Sequence, residues 1–155
     1  MRIDIVAVGR LKKGPEAALV ADYLDRFART GRSLGFPAVT VHEVEDRRGG
    51  GMAAEAELLA RAIPAGAALV VLDERGAQPT SPEFAARLAG FRDAARDLCL
   101  VIGGADGLEA GLRDRAEWQI SFGRMVWPHL LVRVMLAEQL YRAATILAGS
   151  PYHRA

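Results

Sequence analysis

Two imidazoles bracket the most apolar stretch of the second half of the sequence. Trp127-Pro128-His129 precedes that stretch and Pro151-Tyr152-His153-Arg154 follows it, so each end carries a histidine beside a rigid proline turn. Histidine moves protons near neutral pH and arginine holds anions, so these residue types together are equipped for acid–base work on a charged substrate. Terminal residues normally fray, and a tyrosine, a histidine and an arginine packed there point to a docked functional tail. The bland alternatives are a tail of surface polar residues and a His129 that merely caps or packs. A second candidate is Gly103-Gly104, directly after the apolar run LCLVI. Two glycines at the carboxyl end of a buried strand let a ligand approach the backbone, and ligands of open α/β sheets bind beyond those ends. The same pair also suits a tight turn that needs positive φ.

Other chemistries are excluded by spacing. The segment GRLKKG, residues 9–14, has P-loop glycine spacing, but Pro15 and Glu16 stand where a lysine and a hydroxyl residue would hold phosphate and metal. The segment GGADG, residues 103–107, does not satisfy G-x-G-x-x-G, so a dinucleotide site is unsupported. With one cysteine, Cys99, and no HExxH, neither an intrachain disulfide nor a zinc centre is expected, and Cys99 reads as a core thiol.

The elements that must position these residues alternate. Apolar runs of strand length fall at residues 2–8, Val39–Val44, 68–72, Leu98–Ile102 and 118–122, separated by helix-length stretches. That alternation predicts an α/β fold, a mainly parallel sheet flanked by helices. Helices are expected from Pro15 to about residue 29, over about 52–63, from an N-cap at Ser81 with Pro82 as first helical residue, and from His129 to Leu147, stopped by Gly149 and Pro151. The loop DRRGGG, residues 46–51, is a mobile connection that could also serve as a lid or an RNA contact.

At about 100° per residue, Val132, Val134, Leu136, Ala137, Leu140, Ala143, Ala144 and Leu147 fill one wide sector of the last helix, with Arg133 in its middle. An arginine there must snorkel, pair with a carboxylate or meet a partner chain. Glu138 and Arg142 share the opposite side at i and i+4 and can pair. Leu131, Met135 and Ile146 lie there too, and a helix apolar nearly all round points to a subunit interface.

A chain of 155 residues with 51% hydrophobic and 25% charged residues reads as a single folded domain, residues 1–155. Its first apolar run is too short for a signal segment and no run is long enough to span a membrane, so a cytoplasmic, membrane-free protein is expected. A net charge of +1 gives no global footprint for nucleic acid. Any contact with a polyanion must come from local patches: Arg10, Lys12 and Lys13, then Arg47 and Arg48, then Arg142 and Arg154.

Four motifs in order, VIGGADGL (101–108), MVWPHLLVRV (125–134), EQLYRA (138–143) and GSPYHR (149–154), together with the opening VAVGRLK, closely resemble the RlmH (YbeA-type) methyltransferases of the SPOUT superfamily. The resemblance spans the whole chain. It implies methylation at N3 of a pseudouridine in large-subunit (23S) ribosomal RNA within the ribosome, S-adenosyl-L-methionine as methyl donor, no metal, a homodimer, and a trefoil knot in the C-terminal half. In such a fold the donor lies among three loops after strands, which map here to Leu72 and its neighbours, to Gly103 and Gly104, and to Phe122, Gly123, Arg124, Met125, Val126, Trp127 and Pro128. Leu72, Met125 and Trp127 would supply apolar surface. Gly123-Arg124 departs from the small polar residues of the family, which leaves Arg124 to face RNA or solvent.

Methyl transfer from a sulfonium needs near-attack positioning and a nucleophile without its proton. On this reading His129, Tyr152 or His153 takes the proton, and Arg142 and Arg154 hold phosphate or the base anion. One subunit's tail then completes the other's pocket. The rivals are a non-catalytic ribosome- or RNA-binding protein that keeps the fold, and an α/β enzyme using another nucleotide.

Overall fold

The computed structural model describes residues 1–154. Five parallel strands form one sheet in the order β2-β1-β4-β3-β5: β1 (Ile3–Val8), β2 (Val39–Val44), β3 (Ala68–Ala77), β4 (Leu98–Ile102) and β5 (Trp118–Ile120). Every residue of β1 and β4 is buried, as expected of central strands covered on both faces, whereas no residue of the edge strand β2 is fully buried.

The helices are α1 (Pro15–Arg32), α2 (Gly51–Ala62), α3 (Ser81–Asp93), α4 (Ala110–Asp114) and α5 (His129–Leu147). Strand alternation sends Ile3, Ile5, Ala7, Val70, Leu100 and Ile102 to a core shared with Phe27 of α1, Phe84 and Leu88 of α3, and Leu136 and Leu140 of α5. Val6, Val8, Val71, Cys99 and Val101 face the other way, onto Leu59 of α2 and Leu112 of α4. The result is three layers, with α5 wedged between α1 and α3. Cys99 is a core thiol pushed up to about 12 by burial and then by the nearby Asp4 carboxylate, so it is no nucleophile.

Two expectations need correction. The N-cap of α3 is Thr80, whose hydroxyl accepts from the Glu83 amide while the Glu83 carboxylate accepts from the Thr80 amide. Ser81 is already helical and donates its hydroxyl to Gln139 of α5 at 2.8 Å. The third strand does not end at Leu72. Both Leu72 and Ala77 pair with Ile120, so residues 73–76 bulge out between them and rejoin the ladder. Of the places open to Arg133, the structure shows the pair with a carboxylate, Glu43, buried beside Leu136, Ala137 and Leu140, with Leu131 left 40% exposed on the opposite side.

Candidate active site

The ends of β3, β4 and β5 leave the sheet together and wall a cavity of about 460 Å³, within the usual range for a small-molecule site. Leu72 and the bulge 73–75 form one wall, and Ile102, Gly103 and the turn 105–107 a second. Residues 120–123, the loop Met125, Val126 and Trp127, and His129 and Val132 of α5 close a third. Gly76 makes this shape possible: a Cβ there would lie 2.6 Å from the Ile120 amide nitrogen. Ser121, buried after β5, ties the next turn, since its hydroxyl donates to the Gly123 carbonyl at 2.8 Å and accepts from the Gly123 amide at 3.1 Å. Gly123 has φ +127° with open space where a Cβ would point.

Of the residues expected to hold a cofactor, Leu72, Gly103, Phe122, Gly123, Met125, Val126 and Trp127 line this cavity; Gly104, Arg124 and Pro128 flank it. Neither Gly103 nor Gly104 takes positive φ; both are required by close packing. A Cβ on Gly103 would sit 2.8 Å from the Gly107 backbone, and one on Gly104 would sit 3.1 Å from the Glu55 carboxylate and from Val8. Met125 and Val126 are 76% and 81% exposed, so a large apolar surface stands open at the cavity mouth.

His129 lies on the cavity wall at the start of α5, with its Nε2 3.6 Å from where a Gly9 Cβ would stand. Burial, and then the Arg133 charge, lower its pKa below the usual 6.5, so it is neutral at neutral pH and able to accept a proton. Arg133 resolves as a buried pair. Its Nη1 donates to Glu43 Oε2 at 2.6 Å, and its Nη2 to the carbonyls of Val8 and Gly9 at 3.3 and 3.0 Å. The same Glu43 oxygen accepts the Leu11 amide at 2.7 Å, so one carboxylate anchors both α5 and the basic segment after β1. Burial alone would raise the Glu43 pKa; the Leu11 amide and Arg133 together outweigh it and leave it lowered.

The remaining candidates gather elsewhere. Glu138 Oε1 accepts from Arg142 and from the Tyr152 hydroxyl (2.9 Å), and Arg142 Nη1 lies 3.2 Å from His153 Nδ1. The Arg142 guanidinium stacks 4.8 Å over the Tyr152 ring, which packs 4.7 Å from Tyr141. The tail is docked, as its composition predicts, and Arg154 at its end is exposed. Burial and the Glu138 hydrogen bond push the Tyr152 phenol up to about 12, so it stays protonated and serves as a donor. Arg142 follows His129 by thirteen positions on α5, about 20 Å by helical rise, so one protomer does not bring the tail to its own cavity.

Sequence reasoning reached the neighbourhood of Leu72 without naming Asp73, Glu74 and Arg75, and it missed the turn after Gly104 and α4 with Arg113, all on the cavity wall. The available signal was an acidic–basic triplet directly after a fully apolar strand. Among the described residues no group of three or more His, Cys, Asp or Glu side chains could hold a metal ion, and no helix is long and apolar enough to cross a membrane.

The chain matches known proteins over nearly its whole length. It is 74% identical over 154 residues to the ribosomal RNA large subunit methyltransferase H of Paracoccus denitrificans and 70% identical to that of Cereibacter sphaeroides, covering 99% of both chains in each case. Among solved structures it resembles a probable methylase family protein from Haemophilus influenzae, with a TM-score of 0.51 at 12% identity over 99% of this chain and 70% of that one, a likeness of fold alone. The family model described as predicted SPOUT methyltransferase matches residues 1–153, and the chain belongs to that family, the one its C-terminal motifs resemble.

Proposed function

We propose that this chain is an S-adenosyl-L-methionine-dependent methyltransferase that modifies N3 of a pseudouridine in 23S ribosomal RNA. The observation that carries the reading is the cavity at the carboxyl ends of β3, β4 and β5, with apolar walls, a glycine-shaped rim and a neutral histidine on its surface. Its relatives' names supply the substrate class. S-Adenosylmethionine supplies an electrophilic methyl group on a sulfonium that leaves as a thioether. Leu72, Ile102, Phe122, Met125 and Trp127 give its nucleoside apolar surface, and Gly103, Gly104, Gly123 and the neighbouring Arg124, Val126 and Pro128 shape the loops around it. His129 takes the N3 proton, which turns the weak imide acid into the attacking anion.

The working unit is a homodimer. The cavity and the tail cluster lie about 20 Å apart along α5, and Leu131, Met125, Val126, Trp127 and Leu19 leave apolar surface open. Two copies crossing at α5 place Tyr152, His153 and Arg154 of one over the cavity of the other, an isologous contact. Arg10, Lys12, Lys13, Arg47, Arg48 and Arg124 follow β1, β2 and β5, so they share the sheet edge on which the cavity opens, and they hold RNA phosphate there. Arg142, engaged by Glu138, orients Tyr152 and His153. The single domain, the trefoil knot around the cavity loops and a cytoplasmic site of action belong to the same reading.

Two measurements test it. Calorimetry with S-adenosylmethionine separates an enzyme from an RNA-binding protein that only keeps the fold, because a folded sample that fails to bind favours the latter. Transfer of isotope-labelled methyl to ribosomes, lost in His129→Asn with donor binding retained, identifies the acceptor reaction; undiminished transfer refutes His129 as base.

A further inference from the structure

The cavity wall carries one ion pair that is almost removed from water. Arg113 of α4 and Asp73 of the β3 bulge are 18% and 6% exposed, with Nε and Oδ2 3.7 Å apart. Both line the cavity. The pair is held from behind: Arg113 Nε donates to the Leu108 carbonyl at 3.3 Å, and Asp73 Oδ1 accepts the Arg75 amide at 2.9 Å. Arg113 Nη1 and Nη2 and Asp73 Oδ2 are not among the buried side-chain atoms left without a partner, so among the described residues they stay open to the cavity. The open side of the guanidinium is therefore a fork that an anion entering the cavity can fill.

The rest of the wall tells which anion. Leu72, Ile102, Phe122 and Trp127 give the wall apolar surface, while Glu74, Arg75, Asp106 and Glu109 line it together with the Asp73–Arg113 pair. Two arginines among four carboxylates leave the wall net negative, which does not suit a phosphate. It does suit a zwitterion, with a carboxylate on the arginine and an ammonium among the acids. We propose that Arg113 and Asp73 form the subsite for the amino-acid end of the methyl donor, with the Arg113 guanidinium forking onto the donor's carboxylate and Asp73 accepting from its ammonium. The inference rests on the donor assignment above and adds the residues that recognise the donor's only anionic group. It also accounts for the β3 bulge, which carries Asp73 out of the ladder, and for α4, which presents Arg113 opposite it.

The test compares two ligands that differ by that carboxylate alone: S-adenosylhomocysteine and its decarboxylated counterpart, S-adenosyl-3-thiopropylamine. Calorimetry on the full-length protein is expected to give a preference for the former of about ten- to a hundredfold, the usual worth of a charge-assisted fork. In Arg113→Met, and in Arg113→Gln as a second variant that keeps a polar stem, the preference falls to near unity. Affinity for the decarboxylated ligand stays within about threefold of the unmutated protein, which also reports an intact cavity. A preference that survives both substitutions, or equal weakening of both ligands, overturns the subsite and leaves Arg113 as a clip between α4 and β3. A preference unchanged while the affinity for ribosomes drops assigns Arg113 to RNA phosphate instead and likewise overturns it. Failure of the unmutated protein to bind either ligand refutes the donor assignment itself.

Discussion

Replacing Glu43 by alanine isolates the buried pair that joins the first strand's loop to the last helix. Arg133 is 1% exposed and keeps the Val8 and Gly9 carbonyls when Glu43 is lost, but its Nη1 then faces no carboxylate and its Nε already lacks a partner. Stranding a buried charge this way costs about 3–5 kcal/mol. The Glu43 side chain is 31% exposed, so water enters where it stood, and the expected cost is at the low end, about 3 kcal/mol. For a chain of this size that lowers Tm by about 6–12 °C. The double variant Glu43→Ala/Arg133→Met removes both charges, so it is less destabilised than the sum of the two single variants by about 2 kcal/mol. Urea unfolding of the four proteins reads the cycle. Loss of the Leu11 anchor also releases the basic segment, so KM for ribosomes rises while the Kd for S-adenosylmethionine holds. A Glu43→Ala cost under about 1 kcal/mol, or strict additivity, refutes the pair as a structural latch.

Further expectations follow from individual contacts. Gly76→Ala puts a Cβ against the Ile120 and Gln119 backbone at 2.6–2.7 Å, so it destabilises by about 1–3 kcal/mol or more in chemical unfolding; a neutral result contradicts the close approach of β3 and β5. For His129, a lowered folded pKa means the base is neutral above that value and charged below it. Methyl transfer therefore falls only as pH drops below the usual histidine value of 6.5, and His129→Asn removes that limb along with about 10²–10⁴ of kcat; an unchanged profile rules His129 out as base. Glu43 obeys the same sign rule: its lowered pKa contributes stability above the unfolded carboxylate range that is lost as pH falls through the folded value, and Glu43→Gln should flatten acid unfolding in that window. Mixing Arg154→Ala subunits with Gly103→Val subunits restores activity that neither has alone if the tail serves the partner's cavity, and mixed dimers that stay inactive refute site sharing.

The sheet was legible because β1, β3 and β4 are apolar runs buried on both faces, and β4 and β2 begin and end where the pattern says. The second part of β3 was not legible, since DERGA carries no strand signal and pairs only because Gly76 admits β5. The five-residue α4 contains Gly111 and is too short for periodicity to register. Arg133 announced itself as a cation in an apolar sector, but the identity of its partner, ninety residues earlier, is a tertiary fact. Gly103-Gly104 was legible from its place after an apolar strand, while the other cavity loops came from the motifs that resemble the family. Spacing grouped His129 with the tail because both flank α5, and the length of that helix is what separates them within one protomer.

The central claim is methylation of N3 of a pseudouridine in large-subunit ribosomal RNA, and mass spectrometry of that RNA from cells lacking this chain tests it most directly. The account predicts that one pseudouridine is a methyl group lighter in the deletion strain, regains the methyl on N3 with the intact chain, and does not regain it with His129→Asn. An unchanged methylation pattern on deletion, or a methyl group missing from any other nucleotide or atom, would contradict it.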